Sequence, residues 1–152
     1  AVSKHHWVIY RYAETLLTYA ESMVNAFNDV NYTDETYKYS ALWAINEVRK
    51  NADMPLIPSM GKEDFLERLY NEWRVEFAFE DHRFWDVRRW KIADTTQREL
   101  YGVKIEKQAD GTFNFYKNLY ETRNWRDCMY LYPIPQSELY KNTNLNPQNT
   151  GW

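Results

Sequence analysis

Between Trp7 and Phe27 the apolar residues Ala13, Leu16, Leu17, Ala20, Met23, Val24 and Phe27 return at steps of three and four, and Glu14 and Glu21 fall on another face. That period predicts an amphipathic helix. Asn28-Asp29 and the stretch 31–34 are turn-prone, and Thr33 or Asp34 can cap a second helix that carries Ala41, Leu42, Ile45, Val48 and Ala52 on one side. The segment from Met54-Pro55 to Gly61 breaks the pattern. Phe65, Leu66, Leu69, Tyr70, Trp73 and Phe77 then resume it, predicting a third long helix that bends near Asp81 and continues to Trp90. After Thr95 the stretches 101–107 and 112–117 alternate apolar and polar around Asp110-Gly111, which predicts a small β-hairpin closed by a type I′ turn. Tyr132-Pro133-Ile134-Pro135 favours extended backbone, followed by a short helix near Ser137 to Tyr140 and an Asn-rich end that would strap across the helices.

The expected fold is therefore mainly α. A helical hairpin occupies about 7–52, a long helix 63–92, and a β-hairpin with an extended tail 93–152, all within a single domain of 1–152. The two-helix unit, with Tyr and Ala at its crossing positions, is similar to one degenerate tetratricopeptide-type repeat. Such repeats need neighbours to cover their apolar faces, and no second copy occurs here. The chain also opens at Ala1-Val2-Ser3-Lys4, without a charged and apolar leader. Both features lead us to expect a piece of a longer protein.

Charge and composition narrow the function. Nineteen Lys and Arg face 22 Asp and Glu, a formal charge of −3 that gives no long-range attraction to phosphate backbones. Nucleic acid is not an expected partner. Seven Trp, thirteen Tyr and seven Phe make 18% of the chain, an excess that suits a bulky core or a surface stacking on ring-shaped ligands such as sugars. The lone Cys128 has no intramolecular disulfide partner and reads as a small buried apolar residue. No apolar run is long enough to span a bilayer.

Several constellations could carry chemistry. Glu72, Glu76 and Glu80 lie four residues apart, and a carboxylate pair is what a glycosidase needs. Arg68, Arg74, Arg83, Arg88 and Arg89 are near enough in sequence to neutralise them, so an ion-pair network is the expectation. His82 and Asp86 share a helical face, but two ligands are too few for zinc, and a buried, hydrogen-bonded His82 is expected instead of a metal. The adjacent His5 and His6 read as solvated. In 83–91 basic and aromatic residues interleave; Phe84, Val87 and Arg88 fall together as a core stripe, with Asp86 and Arg89 beside it as ion-pair formers. With four glycines the chain holds neither a phosphate loop nor a nucleophile elbow, and no cofactor is expected. Trp125, Tyr116 and Tyr120, in the irregular region, are the candidate ligand-stacking residues.

The residues from Glu67-Arg68 through Glu72, Arg74 and Glu76-Phe77-Ala78-Phe79-Glu80-Asp81-His82-Arg83-Phe84-Trp85-Asp86-Val87-Arg88-Arg89-Trp90 resemble the C-terminal motif of the SusD/RagB family, which commonly reads R-x-E-L-A-F-E-G-H-R-F-x-D-L-R-R-W. Asp81 stands where that pattern has Gly. Arg11-Tyr12-Ala13-Glu14-x-Leu16-Leu17-x-Tyr19-Ala20-Glu21, then 44–49, resemble the family's R-x-A-E-x-L-L-x-Y-A-E helix and its continuation. Tyr132-Pro133-Ile134-Pro135-x-Ser137-Glu138, with Asn142, Asn144, Leu145, Asn149, Gly151 and Trp152, resembles the family terminus. The stretch 101–126 has no counterpart in these motifs. The resemblance implies the C-terminal portion of a non-catalytic, surface-exposed lipoprotein of the outer membrane of Bacteroidetes-type bacteria. It implies capture of an oligosaccharide or other nutrient, a TonB-dependent SusC-like transporter as partner, and a lipid anchor outside this chain. It also implies a structural role for the motif residues Glu76, Glu80, His82, Arg83, Trp85, Asp86, Arg88, Arg89 and Trp90, with the glycan site formed largely by other parts of such proteins.

Overall fold

The structure, a computed structural model, describes residues 8–152. The chain divides into two compact units, Ala1–Arg83 and Phe84–Trp152. No helix among the described residues is long and apolar enough to cross a membrane.

The first unit is helical. Helices α1 (Tyr12–Phe27), α2 (Ala41–Asn51) and α3 (Lys62–Glu76) follow the expected periodicity, and α1 packs on α2 and on α3. Leu16, Leu17, Ala20, Met23 and Val24 of α1 are buried, as are Ala41, Ala44, Ile45 and Val48 of α2 and Phe65, Leu69 and Trp73 of α3. Full burial of a large apolar side chain stabilises by about 1.5 to 3 kcal/mol, so this stripe is the main source of cohesion. The predicted start at Trp7 lies outside the described residues. The helix begins at Tyr12, after an extended Arg11, and ends where Asn28 turns left-handed (φ 56°) and returns its N–H to the Val24 carbonyl.

Two boundaries differ from the sequence reading. The cap of α2 is Ser40, whose hydroxyl accepts the Trp43 N–H at 3.0 Å, and not Thr33 or Asp34. Asp34 is occupied by a local turn, its carboxylate accepting the N–H groups of Thr36 and Tyr37. The long third helix does not bend near Asp81 but stops at Glu76, and α4 (His82–Arg89) starts anew. Phe79 (φ 67°) and Asp81 (φ 64°) are left-handed, a geometry that cannot continue a right-handed helix. Asp81, where the family pattern has Gly, thus adopts the conformation that glycine takes at least cost.

The second unit holds α4 from Phe84 onward, α5 (Ala93–Gln97), and the antiparallel strands β1 (Glu99–Lys107) and β2 (Phe113–Thr122). The strands close at Lys107 opposite Phe113, leaving 108–112 as a five-residue loop in place of the expected type I′ turn. That turn needs two left-handed residues, and in this loop only Gly111 has positive φ (87°). Gly111 N–H instead bonds to the Gln108 carbonyl at 3.0 Å, and Asp110 accepts both the N–H and the hydroxyl of Thr112. Leu100 faces Glu121 while Tyr101 faces Leu119, so Tyr120 is the extra residue of a β-bulge.

The tail closes on itself through side-chain amides. Gln148 accepts the Ile134 N–H at 2.7 Å and donates to the Ile134 carbonyl at 2.8 Å, and Asn149 donates to the Tyr132 carbonyl. Helix α6 (Gln136–Lys141) buries Leu139, and the Trp152 indole donates to the Cys128 carbonyl at 2.9 Å. Gly151 sits at φ 90° with the place of a Cβ only 2.8 Å from Cys128 Cβ, so both backbone and space call for glycine. Cys128 itself, in the short 3-10 turn Asp127–Tyr130, is half-buried and not the buried residue expected.

Candidate ligand-binding cleft

Helix α4 directs its residues differently from the predicted core stripe. Asp86 and Val87 are the buried positions, whereas Phe84 is 40% and Trp85 58% exposed. Asp86 is neutralised by the Arg89 guanidinium at 2.9 Å, which lets a carboxylate sit inside. Phe84 is covered by a cation in place of core: the Arg88 guanidinium lies 3.6 Å over its ring, and one of its N–H groups bonds to the Phe84 carbonyl at 2.7 Å. Trp125 stands 5.5 Å from the same guanidinium and meets Tyr130 edge to face at 5.1 Å. Trp85 and Tyr132 lie 6.2 Å apart by ring centroid, and Tyr132 is 59% exposed.

Of these residues, Trp85, Arg88, Arg89, Tyr130 and Tyr132 line a cleft of about 1040 Å³ within the second unit. Trp85, Leu131 and Tyr132 supply its open apolar surface, and Arg88, Arg89, Lys91, Asp94 and Asp127 its charges. Tyr130 donates its hydroxyl to Asp94 at 3.0 Å. Burial first pushes that hydroxyl above its ordinary pKa; the Asp94 N–H opposes this, and the carboxylates of Asp94 and Asp127 add to it, so it stays neutral and donating. A ring face with hydrogen-bonding groups at its margin is the chemistry that holds a sugar.

The three ring residues singled out from sequence are not gathered at one place. Trp125 supports Arg88 at the cleft, half-buried, its indole N–H buried without a partner. Tyr116 is on β2 opposite Lys104, and Tyr120, 80% exposed, is at the bulge. Tyr132 and Leu131, which line the cleft, were not among the residues singled out from sequence, and Trp85, given a structural role by the resemblance, lines it as well. The available signal was the Trp85-Asp86-Val87 triplet: one helical turn cannot bury three consecutive side chains, so one must face out.

The carboxylates are placed by ion pairs whose partners differ from those expected, and the histidine by ring packing. Glu72 binds Arg49 of α2 at 2.5 Å, while Glu76 and Glu80 both bind Arg11. Arg68, Arg74, Arg83, Arg88 and Arg89, expected from spacing, are not the partners of these three in any of those pairs. Burial opposes the Arg11 charge, but Glu80 and Glu76 outweigh it and hold its pKa above the ordinary value. His82 packs 4.4 Å from the Phe77 ring and 3.8 Å from Glu14, on a different partner from Asp86. Among the described residues no three His, Cys, Asp or Glu side chains are grouped to hold a metal.

A family model described as the SusD family matches residues 1–152. The SusD-like protein P2 of Formosa agariphila is 31% identical over 160 residues, covering 99% of this chain and 26% of that protein. A solved SusD-like protein from Bacteroides fragilis is 35% identical with a TM-score of 0.75, covering 96% of this chain and 26% of that one. A SusD superfamily protein from Parabacteroides distasonis, 24% identical with a TM-score of 0.58, has a similar fold over 96% of this chain and 27% of its own. The chain thus spans about a quarter of the length of these relatives.

Proposed function

The chain belongs to the SusD family, and from that premise we propose that it is the non-catalytic C-terminal part of a nutrient-capture lipoprotein. In this reading the whole protein sits on the outer face of the outer membrane and passes a glycan to a TonB-dependent SusC-like transporter. The observation that carries capture to this chain is the cleft, where Trp85 and Tyr132 leave more than half of each side chain to solvent beside charged groups. An exposed ring pair offers flat apolar area for a sugar face. Trp125 acts by holding Arg88, and Tyr116 and Tyr120 are separate ring contacts on the hairpin. The pairing of Glu72, Glu76 and Glu80 with arginines supports a scaffold over an acid/base pair, since each carboxylate is committed to a cation.

Calorimetric titration with a panel of soluble oligosaccharides tests this. We expect saturable heat without shortened products, and Trp85→Ala should weaken binding about tenfold, the loss of one stacking contact. Heat unaffected by Trp85→Ala and Tyr132→Ala would move the site elsewhere, and product formation would overturn the non-enzyme reading. A second reading, a protein-docking module, is favoured by one feature: Tyr101, Val103, Ile105, Phe113, Phe115 and Leu119 share one face of the hairpin and are each about half exposed or more. Stoichiometric binding to the transporter with no saccharide affinity would decide for it.

A further inference from the structure

The groups around the cleft are unequally committed. The side-chain amides of Gln148 and Asn149 are bonded to the Ile134 and Tyr132 backbone, Arg89 is paired with Asp86, and Asp94 accepts from Tyr130. Among the described residues Arg88 and Lys91 have no carboxylate partner. Arg88 is moreover held in place: one N–H is fixed on the Phe84 carbonyl, and its plane is fixed on the Phe84 ring. A guanidinium so fixed keeps its other N–H donors in a planar fork and has already lost the rotamer freedom that binding would cost.

We propose that the cleft is a subsite for an acidic saccharide, a sugar ring bearing a carboxylate or a sulfate ester. The ring lies on Trp85 and Tyr132, the oxyanion meets Arg88 with Lys91 as a second cation, and Asp127, whose carboxylate has no side-chain partner among the described residues, accepts sugar hydroxyls. Carboxylate and sulfate share the feature that is read, oxygens spaced to take two parallel N–H donors. This rests on the capture reading above and sharpens it, because ring stacking alone does not discriminate charge.

The test compares the full chain's affinity for a uronic-acid oligosaccharide, a sulfated oligosaccharide and a neutral one of equal length, at low and at physiological salt. We expect one or both acidic ligands to bind about tenfold tighter than the neutral one, as for a hydrogen bond to a charged group. The advantage should shrink as salt rises. Arg88→Gln should abolish the advantage, with an unchanged unfolding midpoint certifying the fold; Lys91→Gln should reduce it in part. Arg88→Lys, which keeps charge without the fork, should lose most of the advantage for either anion. Equal affinity for acidic and neutral ligands would overturn the inference and leave glycan capture standing. No binding of any of the three would overturn both.

Discussion

Leu17, Val24, Ile45, Phe65 and Leu69 of the helical unit have no accessible surface, whereas from Phe84 onward the buried side chains are Asp86, Val87, Ala93 and Leu139. The first unit is held by apolar area; its charges, such as Arg49 with Glu72, fit around that core. The second is held by bonds with defined partners: Gln148 on Ile134, Asn149 on Tyr132, Trp152 on Cys128, and Arg88 on Phe84. Area is forgiving of detail, and hydrogen bonds are not. At the cleft of the second unit Trp85 and Tyr132 lie outside the core, and rings that stabilise no interior remain open to a ligand.

The comparison is tested hardest by Phe65→Ala. Removing a ring with no accessible surface should cost about 3 to 5 kcal/mol in chemical denaturation, and a loss below about 1 kcal/mol would show that this core is less tightly packed than its burial indicates. Next in size, Gly151→Ala should cost about 1 to 3 kcal/mol, since it forces a side chain into left-handed backbone and against Cys128. Its signature is local: Trp152 fluorescence and ligand affinity at the Cys128-lined cleft should change while helical circular dichroism holds. Gly102→Ala, which meets nothing within 4 Å, is the control and should stay within about 0.5 kcal/mol.

The same difference decided how much could be read from the chain. Helices α1 to α3 were legible because burial imposes a period on the residues themselves, and Leu16, Leu17, Ala20, Val24 and Phe65, Leu69, Trp73 carry it. The Glu72, Glu76 and Glu80 partners were not, since Arg49 and Arg11 are distant in sequence and spacing rules see only neighbours. Nor was the cleft, whose walls come from α4, the 3-10 turn at Asp127–Tyr130 and the tail. The break after Glu76 was hidden by one substitution: a glycine at 81 would have announced it, and Asp81 does not. Asp81→Gly should therefore raise stability by about 0.5 to 1 kcal/mol by relieving the left-handed backbone, read as a small upward shift in midpoint. A fall would mean that the Asp81 side chain contributes more than its φ costs.

The smallest effect lies in the hairpin loop and follows from a carboxylate. Asp110 is held below the usual carboxylate range, first by the Thr112 hydroxyl and then by the Thr112 N–H, both of which favour the charged form. A group whose folded pKa is depressed stabilises above its unfolded pKa, and that stabilisation is lost as pH falls through the folded value. The loop should accordingly be unaffected by pH above about 4, the ordinary range for Asp, and loosen only in stronger acid. Amide shifts and exchange of Gly111 and Thr112, followed downward from mildly acidic pH, should report it, and Asp110→Asn should remove the acid transition without moving the helical unit. A transition that appears equally in both units would instead mean global acid unfolding, and would erase the distinction between a loop fixed by one side chain and a core fixed by area.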